Sequence, residues 1–104
     1  MHEYIDYLGN RIRLTQERLE HILGHPELRG IESRIAETLS TPERVVESLS
    51  DARARLYYRF YIGTRVGNKY LCVVVKVLGT DAFVVTAYLT DKVKKGRQIW
   101  PRGK

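Results

Sequence analysis

The chain has 104 residues, 43% of them hydrophobic and 29% charged, with 18 Lys and Arg against 12 Asp and Glu for a net charge of +6. That length suits one small domain and leaves no room for two substantial cores, and the apolar content argues against disorder. No apolar run reaches the roughly 18 residues of a membrane helix, the start lacks a signal-peptide core, and the single Cys72 forms no internal disulfide, so a cytoplasmic domain without membrane contact is expected.

From the N-terminus, Tyr4-Ile5-Asp6-Tyr7 and Arg11-Ile12-Arg13-Leu14 flank Gly9-Asn10 and read as a hairpin. Thr15 suits a helix N-cap, Leu19, Ile22 and Leu23 form an apolar stripe, and Gly24 ends the helix. His25-Pro26 restarts the chain, with Leu28, Ile31, Ile35 and Leu39 at helical spacing. Thr41-Pro42 repeats the cap-and-proline signal and predicts a third, short helix carrying Val45, Val46 and Leu49. The period then changes. Residues 55–62, 69–78 and 82–90 are rich in β-branched and aromatic side chains and predict an antiparallel meander. Hairpin, helices and strands in that order mean an α+β fold, with the helices on one face of the sheet. Lys92, Lys94, Lys95 and Arg97 follow as a basic run, either a solvated segment or an edge that steers phosphates. Trp100-Pro101 reads as an anchor before a tail at 101–104.

Charge divides along the chain. Residues 1–51 hold six basic and ten acidic side chains, and residues 52–104 hold twelve basic ones against Asp81 and Asp91. This points to a localised binding face. Period-two alternation assigns Leu56, Tyr58, Phe60 and Ile62 inward, with Arg55, Tyr57, Arg59 and Tyr61 outward. On the middle strand Leu71, Val73, Val75 and Val77 face inward. On the third, Phe83, Val85, Ala87 and Leu89 face inward, with Ala82, Val84, Thr86 and Tyr88 outward. Tyr57, Arg59, Tyr61, Lys76, Thr86 and Tyr88 then share one face. Cations interleaved with aromatic rings suit phosphates and unpaired bases, although the same residues also make an ordinary solvated sheet face.

His21 and His25 are the candidate acid–base groups, since imidazole exchanges protons near neutral pH; the alternative is a boundary polar residue and a helix cap. No third ligand completes a metal site around them, and neither metal nor cofactor is expected. Cys72, inside an apolar strand, reads as a structural hydrophobe.

Several strings occur in a telling order. They are Ile12-Arg13-Leu14-Thr15-x-Glu17-Arg18, His21-Ile22, His25-Pro26-Glu27, Thr38-Leu39-x-x-Pro42-x-x-Val45, Tyr57-Tyr58, Val73-Val74-Val75-Lys76, Val85-Thr86-Ala87-Tyr88 and Ile99-Trp100. Over about residues 9–100 the chain resembles the phage-type branch of the barnase–EndoU–colicin–RelE-like nuclease superfamily. The resemblance implies helices packed on an antiparallel sheet of about four strands, the fourth coming from the N-terminal hairpin. It implies a metal-independent endoribonuclease, toxin-like as many relatives are, acting on tRNA or mRNA, with an antitoxin or immunity protein as a further partner. The positions matching its strings are His21, His25, Lys76, Thr86 and Tyr88. In the chemistry expected, the 2′-OH attacks its phosphate, a histidine moves a proton, and Lys76 with Arg59 holds the phosphate. Tyr57, Tyr61, Lys92, Lys94 and Lys95 would bind the rest of the RNA. A non-catalytic nucleic-acid-binding or protein-interaction domain is the alternative. A helix lying wholly on the covered face of the sheet would put His21 opposite Lys76 and divide this set.

Overall fold

The computed structural model describes residues 2–102. The elements run β1 (His2–Ile5), β2 (Arg11–Leu14), α1 (Gln16–Leu23), one 3-10 turn (Pro26–Leu28), α2 (Glu32–Ser40), β3 (Arg44–Ser48), β4 (Ala54–Thr64), β5 (Gly67–Leu78), β6 (Asp81–Thr90) and β7 (Gly96–Trp100). The strands form one sheet in the order β1-β2-β6-β5-β4-β3-β7. Most neighbours are antiparallel, but β2 meets β6 in parallel at Arg13 and Phe83, so the sheet is mixed.

This corrects the expected architecture of two to three helices on an antiparallel sheet of about four strands. Two differences account for most of the change. Residues 44–48, expected within a helix, are β3. Val45 and Val46 are adjacent and 0% and 2% exposed, each in the cluster on its own face of the sheet. Successive residues point to opposite faces in a strand, whereas a helix would turn both toward much the same side. Residues 96–100, expected to hold the end of the basic run at Arg97 and the anchor at Trp100 and not a strand, are β7 and pair with β3. Of the tail expected at 101–104, residues 103 and 104 lie outside those described.

The N-terminal hairpin and α1 form, but the first strand is His2–Ile5, two residues earlier than the expected Tyr4–Tyr7, because Asp6 and Tyr7 belong to the turn. The Asp6 carboxylate accepts the backbone N–H groups of Leu8 and Asn10 at 3.0 and 2.9 Å, and Gly9 supplies the positive φ of 86° that the turn requires. Thr15 caps α1, its hydroxyl accepting the Arg18 N–H at 3.1 Å. Thr15→Ala removes that acceptor and should cost about 1 kcal/mol, read as a lower urea midpoint at unchanged slope.

Both helices lie on one face. Leu19, Ile22, Ile35 and Leu39 pack there with Leu71, Val73, Val75 and Ala87. A smaller cluster of Val46, Leu56, Tyr58 and Cys72 lies on the other face. The segment joining β6 to β7 must pass β5, β4 and β3 to reach its place in the sheet. It does so across this second face, with Val93 packed on the small cluster and the Lys94 backbone N–H donating to the Tyr58 hydroxyl at 3.1 Å.

The facing of two strands differs from expectation. On β4, Tyr57 belongs to the large core and Leu56 and Tyr58 to the small one, which reverses the predicted alternation. The helix face of this strand carries Arg55, Tyr57, Arg59 and Tyr61, the less apolar of its two sets, while Phe60 and Ile62 on the other face remain exposed, so hydrophobicity alone points to the wrong side. On β6, Val84 lies opposite Val75 while Thr86 lies opposite Val74, leaving Val85 as an extra residue in a bulge. Ala82 and Val84 therefore face the helices before the bulge, and Ala87 does so after it.

Candidate nucleic-acid interface

The six residues predicted to share a face divide between two. Lys76, Thr86 and Tyr88 lie on the face away from the helices, since Lys76 pairs laterally with Ala54, Thr86 with Val74 and Tyr88 with Cys72. Tyr57, Arg59 and Tyr61 lie on the helix face, which corrects their outward assignment. The buried Tyr57 hydroxyl donates to Asp6 Oδ2 at 2.7 Å, and burial together with that carboxylate drives its pKa upward. Arg59 donates from Nη1 to the Thr41 carbonyl at 2.8 Å, with Nε 3.5 Å from Glu37. Tyr61 reaches Glu37 at 2.7 Å, and burial pushes its pKa up to about 12. These three side chains join the sheet to the hairpin and to α2.

On the outer face Lys76 is already engaged, its Nζ 2.6 Å from Asp51 Oδ2. The Lys76 hydrogen bond holds the Asp51 carboxyl below its ordinary value, with the Arg53 N–H adding to the effect. A depressed carboxylate contributes stability above its ordinary titration range and loses it as pH falls through the lowered value. Asp51→Asn should therefore lower the urea midpoint at neutral pH, and the difference from the parent chain should close in acid.

Tyr88 is shielded beneath the crossing segment, with the Lys94 ammonium 5.8 Å from its ring centroid. Its hydroxyl is buried beside Tyr58 and Cys72 without a partner in hydrogen-bond geometry. Burial raises its pKa first, followed by its neighbour Cys72. Burial pushes the Cys72 thiol up to about 11, so it stays protonated and unreactive at neutral pH. Lys92, Lys94 and Lys95 are exposed on the crossing segment, and none has an ion-pair partner among the described residues.

His21 and His25 project from α1 and from the N-terminal end of the 3-10 turn, both exposed, with ring centroids 5.9 Å apart and planes at 89°. Leu19 and Ile22 tie α1 to the core on the helix face. The sheet therefore stands between His21 and the group formed by Lys76, Thr86 and Tyr88, and the two sets do not meet on one phosphate.

The sequence reading missed what lies beside the histidines. Arg29 follows the 3-10 turn that His25 begins, and a cleft of about 400 Å³ opens there between the start of α2 and the β4–β5 turn. Arg29, Arg34 and Arg65 line it. None of the three has an ion-pair partner among the described residues; Arg34 stacks on Tyr61 with its guanidinium carbon 4.8 Å from the ring centroid. An adjoining cleft lined by Pro26, Glu27, Arg65 and Val66 extends to the residue after His25, with the Glu27 carboxylate in the wall of both clefts. Gly30 at φ 75° turns the chain into α2, whose first turn has no side-chain cap and opens on the same cleft. Unpaired guanidinium groups and free backbone N–H groups are the donors that phosphate oxygens accept from. The sequence carries little signal for this cleft: Arg29 and Arg34 stand among Glu27, Glu32 and Glu37, and Arg65 joins them only through the fold.

Among the described residues no three His, Cys, Asp or Glu side chains are grouped to hold a metal ion, and no helix is long and apolar enough to cross a membrane. Compared with protein-family models, curated proteins and solved structures, the chain matches none.

Proposed function

We propose that this domain binds RNA and cleaves it without metal at the rim formed by His21 and His25, with the arginine cleft holding the neighbouring phosphates. The carrying observation is the pair of exposed imidazoles 5.9 Å apart, beside a cleft lined by Arg29, Arg34 and Arg65. At that spacing each ring can reach a different oxygen of one phosphate diester. One imidazole takes the proton of the 2′-OH as its oxygen bonds to phosphorus. The other gives a proton to the 5′-oxygen as the phosphorus–oxygen bond breaks. The products carry a 2′,3′-cyclic phosphate and a free 5′-OH. The arginines supply fixed positive charge to the flanking phosphates and to the charge that develops on the reacting one. RNA in the cytoplasm is the substrate class, and a neutralising protein of the antitoxin or immunity type would have to present acidic groups to this rim.

The test is incubation of tRNA and mRNA with the protein in excess chelator. Cleavage leaving cyclic phosphate ends is expected, with His21→Ala and His25→Ala each lowering the rate by about 10²–10⁴-fold. Arg29→Ala and Arg65→Ala should weaken binding across sequences and each reduce the salt dependence by about one ion. RNA that binds but stays intact would make the domain a binding module instead. Absence of binding at moderate salt would point to a protein-interaction domain.

A further inference from the structure

Arg55 lies on the helix face of β4, paired laterally with Val75 and Glu47, and is only partly exposed. Its guanidinium has no ion pair or hydrogen bond among the described residues. Asp6, in the same cleft, and Glu47, opposite it on β3, hold other partners, although the Arg55 charge adds to the Arg97 hydrogen bond in keeping the Glu47 carboxyl below its ordinary value. Both Asp6 oxygens accept hydrogen bonds, from two backbone N–H groups and from Tyr57, and Glu47 binds Arg97 at 2.7 Å. Two clefts meet at Arg55, and no helix residue lines either. One, of about 510 Å³, runs between the hairpin turn and the β5–β6 turn and has Arg11 in its wall. The other, of about 250 Å³, is lined by Tyr7, Trp100 and Arg102. Trp100 is held there by its indole N–H, which donates to the Pro42 carbonyl at 3.3 Å, and by Tyr7, whose ring lies 5.1 Å away at 40°. The residue remains 38% exposed.

We propose that this notch is a nucleotide subsite, with Arg55 binding a phosphate and Trp100 stacking the adjoining unpaired base. A partly buried arginine without an acidic partner is a ready phosphate anchor, and a fixed, half-exposed indole is a stacking platform for any base. Arg102 adds positive charge on one side; on the other, Arg11 shares the wall with Asp6 and Asp81, the latter ion-paired to Arg13. The larger cleft falls within the roughly 300–1,000 Å³ of small-molecule sites. The proposal rests on the RNA reading and deepens it by giving the strand a second point of attachment, away from the histidine rim.

Trp100 is the sole tryptophan, so its emission reports on this notch directly. The probe is a fully 2′-O-methylated pentaadenylate, which binds without being cleaved, followed in parallel by fluorescence anisotropy of a labelled copy. Saturable quenching of Trp100 is expected, with inorganic phosphate giving none. Arg55→Gln should raise the midpoint by about tenfold or more, and Arg55→Lys less, while unchanged emission of the free variants reports an intact notch. Arg29→Ala with Arg65→Ala should weaken binding but leave the full quench at saturation. Anisotropy that rises without quenching, or an Arg55→Gln chain that quenches like the parent, overturns the subsite and leaves the RNA reading standing. Absence of any anisotropy change overturns both.

Discussion

Asp6→Ala is expected to cost about 3–5 kcal/mol, read as a large fall in urea midpoint with little change in slope. Asp6 is 4% exposed and is the acceptor for the backbone N–H groups of Leu8 and Asn10 and for the Tyr57 hydroxyl. Its loss leaves a buried phenol and the hairpin turn without their acceptor, and each orphaned donor costs about 1–3 kcal/mol. Tyr57→Phe should cost less, because the carboxylate keeps its two backbone donors. An Asp6→Ala cost no larger than that of Tyr57→Phe would mean that the turn does not depend on this carboxylate.

Gly96→Ala should lower the melting temperature by about 10–20 °C, corresponding to roughly 2–3 kcal/mol of overpacking. A Cβ at Gly96 would run into the Glu47 carbonyl oxygen and would lie 2.5 Å from Val46 Cγ1. The first of these is backbone of the paired strand, so β7 must move for the methyl to fit. Because Trp100 ends the same strand, its emission should shift to the red in the variant. A parent-like melting temperature with unshifted emission would show that β3 and β7 separate at little cost.

Much of the fold is legible in the residues. Gly9-Asn10, Thr15 and Gly24 act locally, through turn and cap geometry, and each stands where the sequence places it. The three long strands announce themselves by β-branched and aromatic runs. The misreading of residues 44–48 has a physical origin. Pro42 beside Thr41 imitates a helix start, and Val45, Val46 and Leu49 imitate helical spacing, yet Leu49 is 77% exposed and the two valines serve opposite faces. Pairing with β4 and β7 outweighs the local cue. The facing of Tyr57 was hidden because its hydroxyl is satisfied by an aspartate 51 positions earlier in the chain. The bulge at Val85 shows only in the ladder. Of the candidate site, His21 and His25 were visible as a pair at helical spacing. The arginine cleft and the notch at Arg55 were not, since each is assembled from segments far apart in sequence.

The strand order also bears on how the sheet meets other chains. Its two outer strands are short, four residues in β1 and five in β7, while the strands of ten to twelve residues each lie between two neighbours. An edge strand offers unpaired N–H and C=O groups to any passing segment, and its reach grows with its length. Here the β7 edge stops at Pro101, which has no N–H to offer. The runs whose composition most favours cross-chain pairing, such as Val73-Val74-Val75, are kept in the middle of the sheet, so self-association through added strands is open to them only after the sheet has come apart.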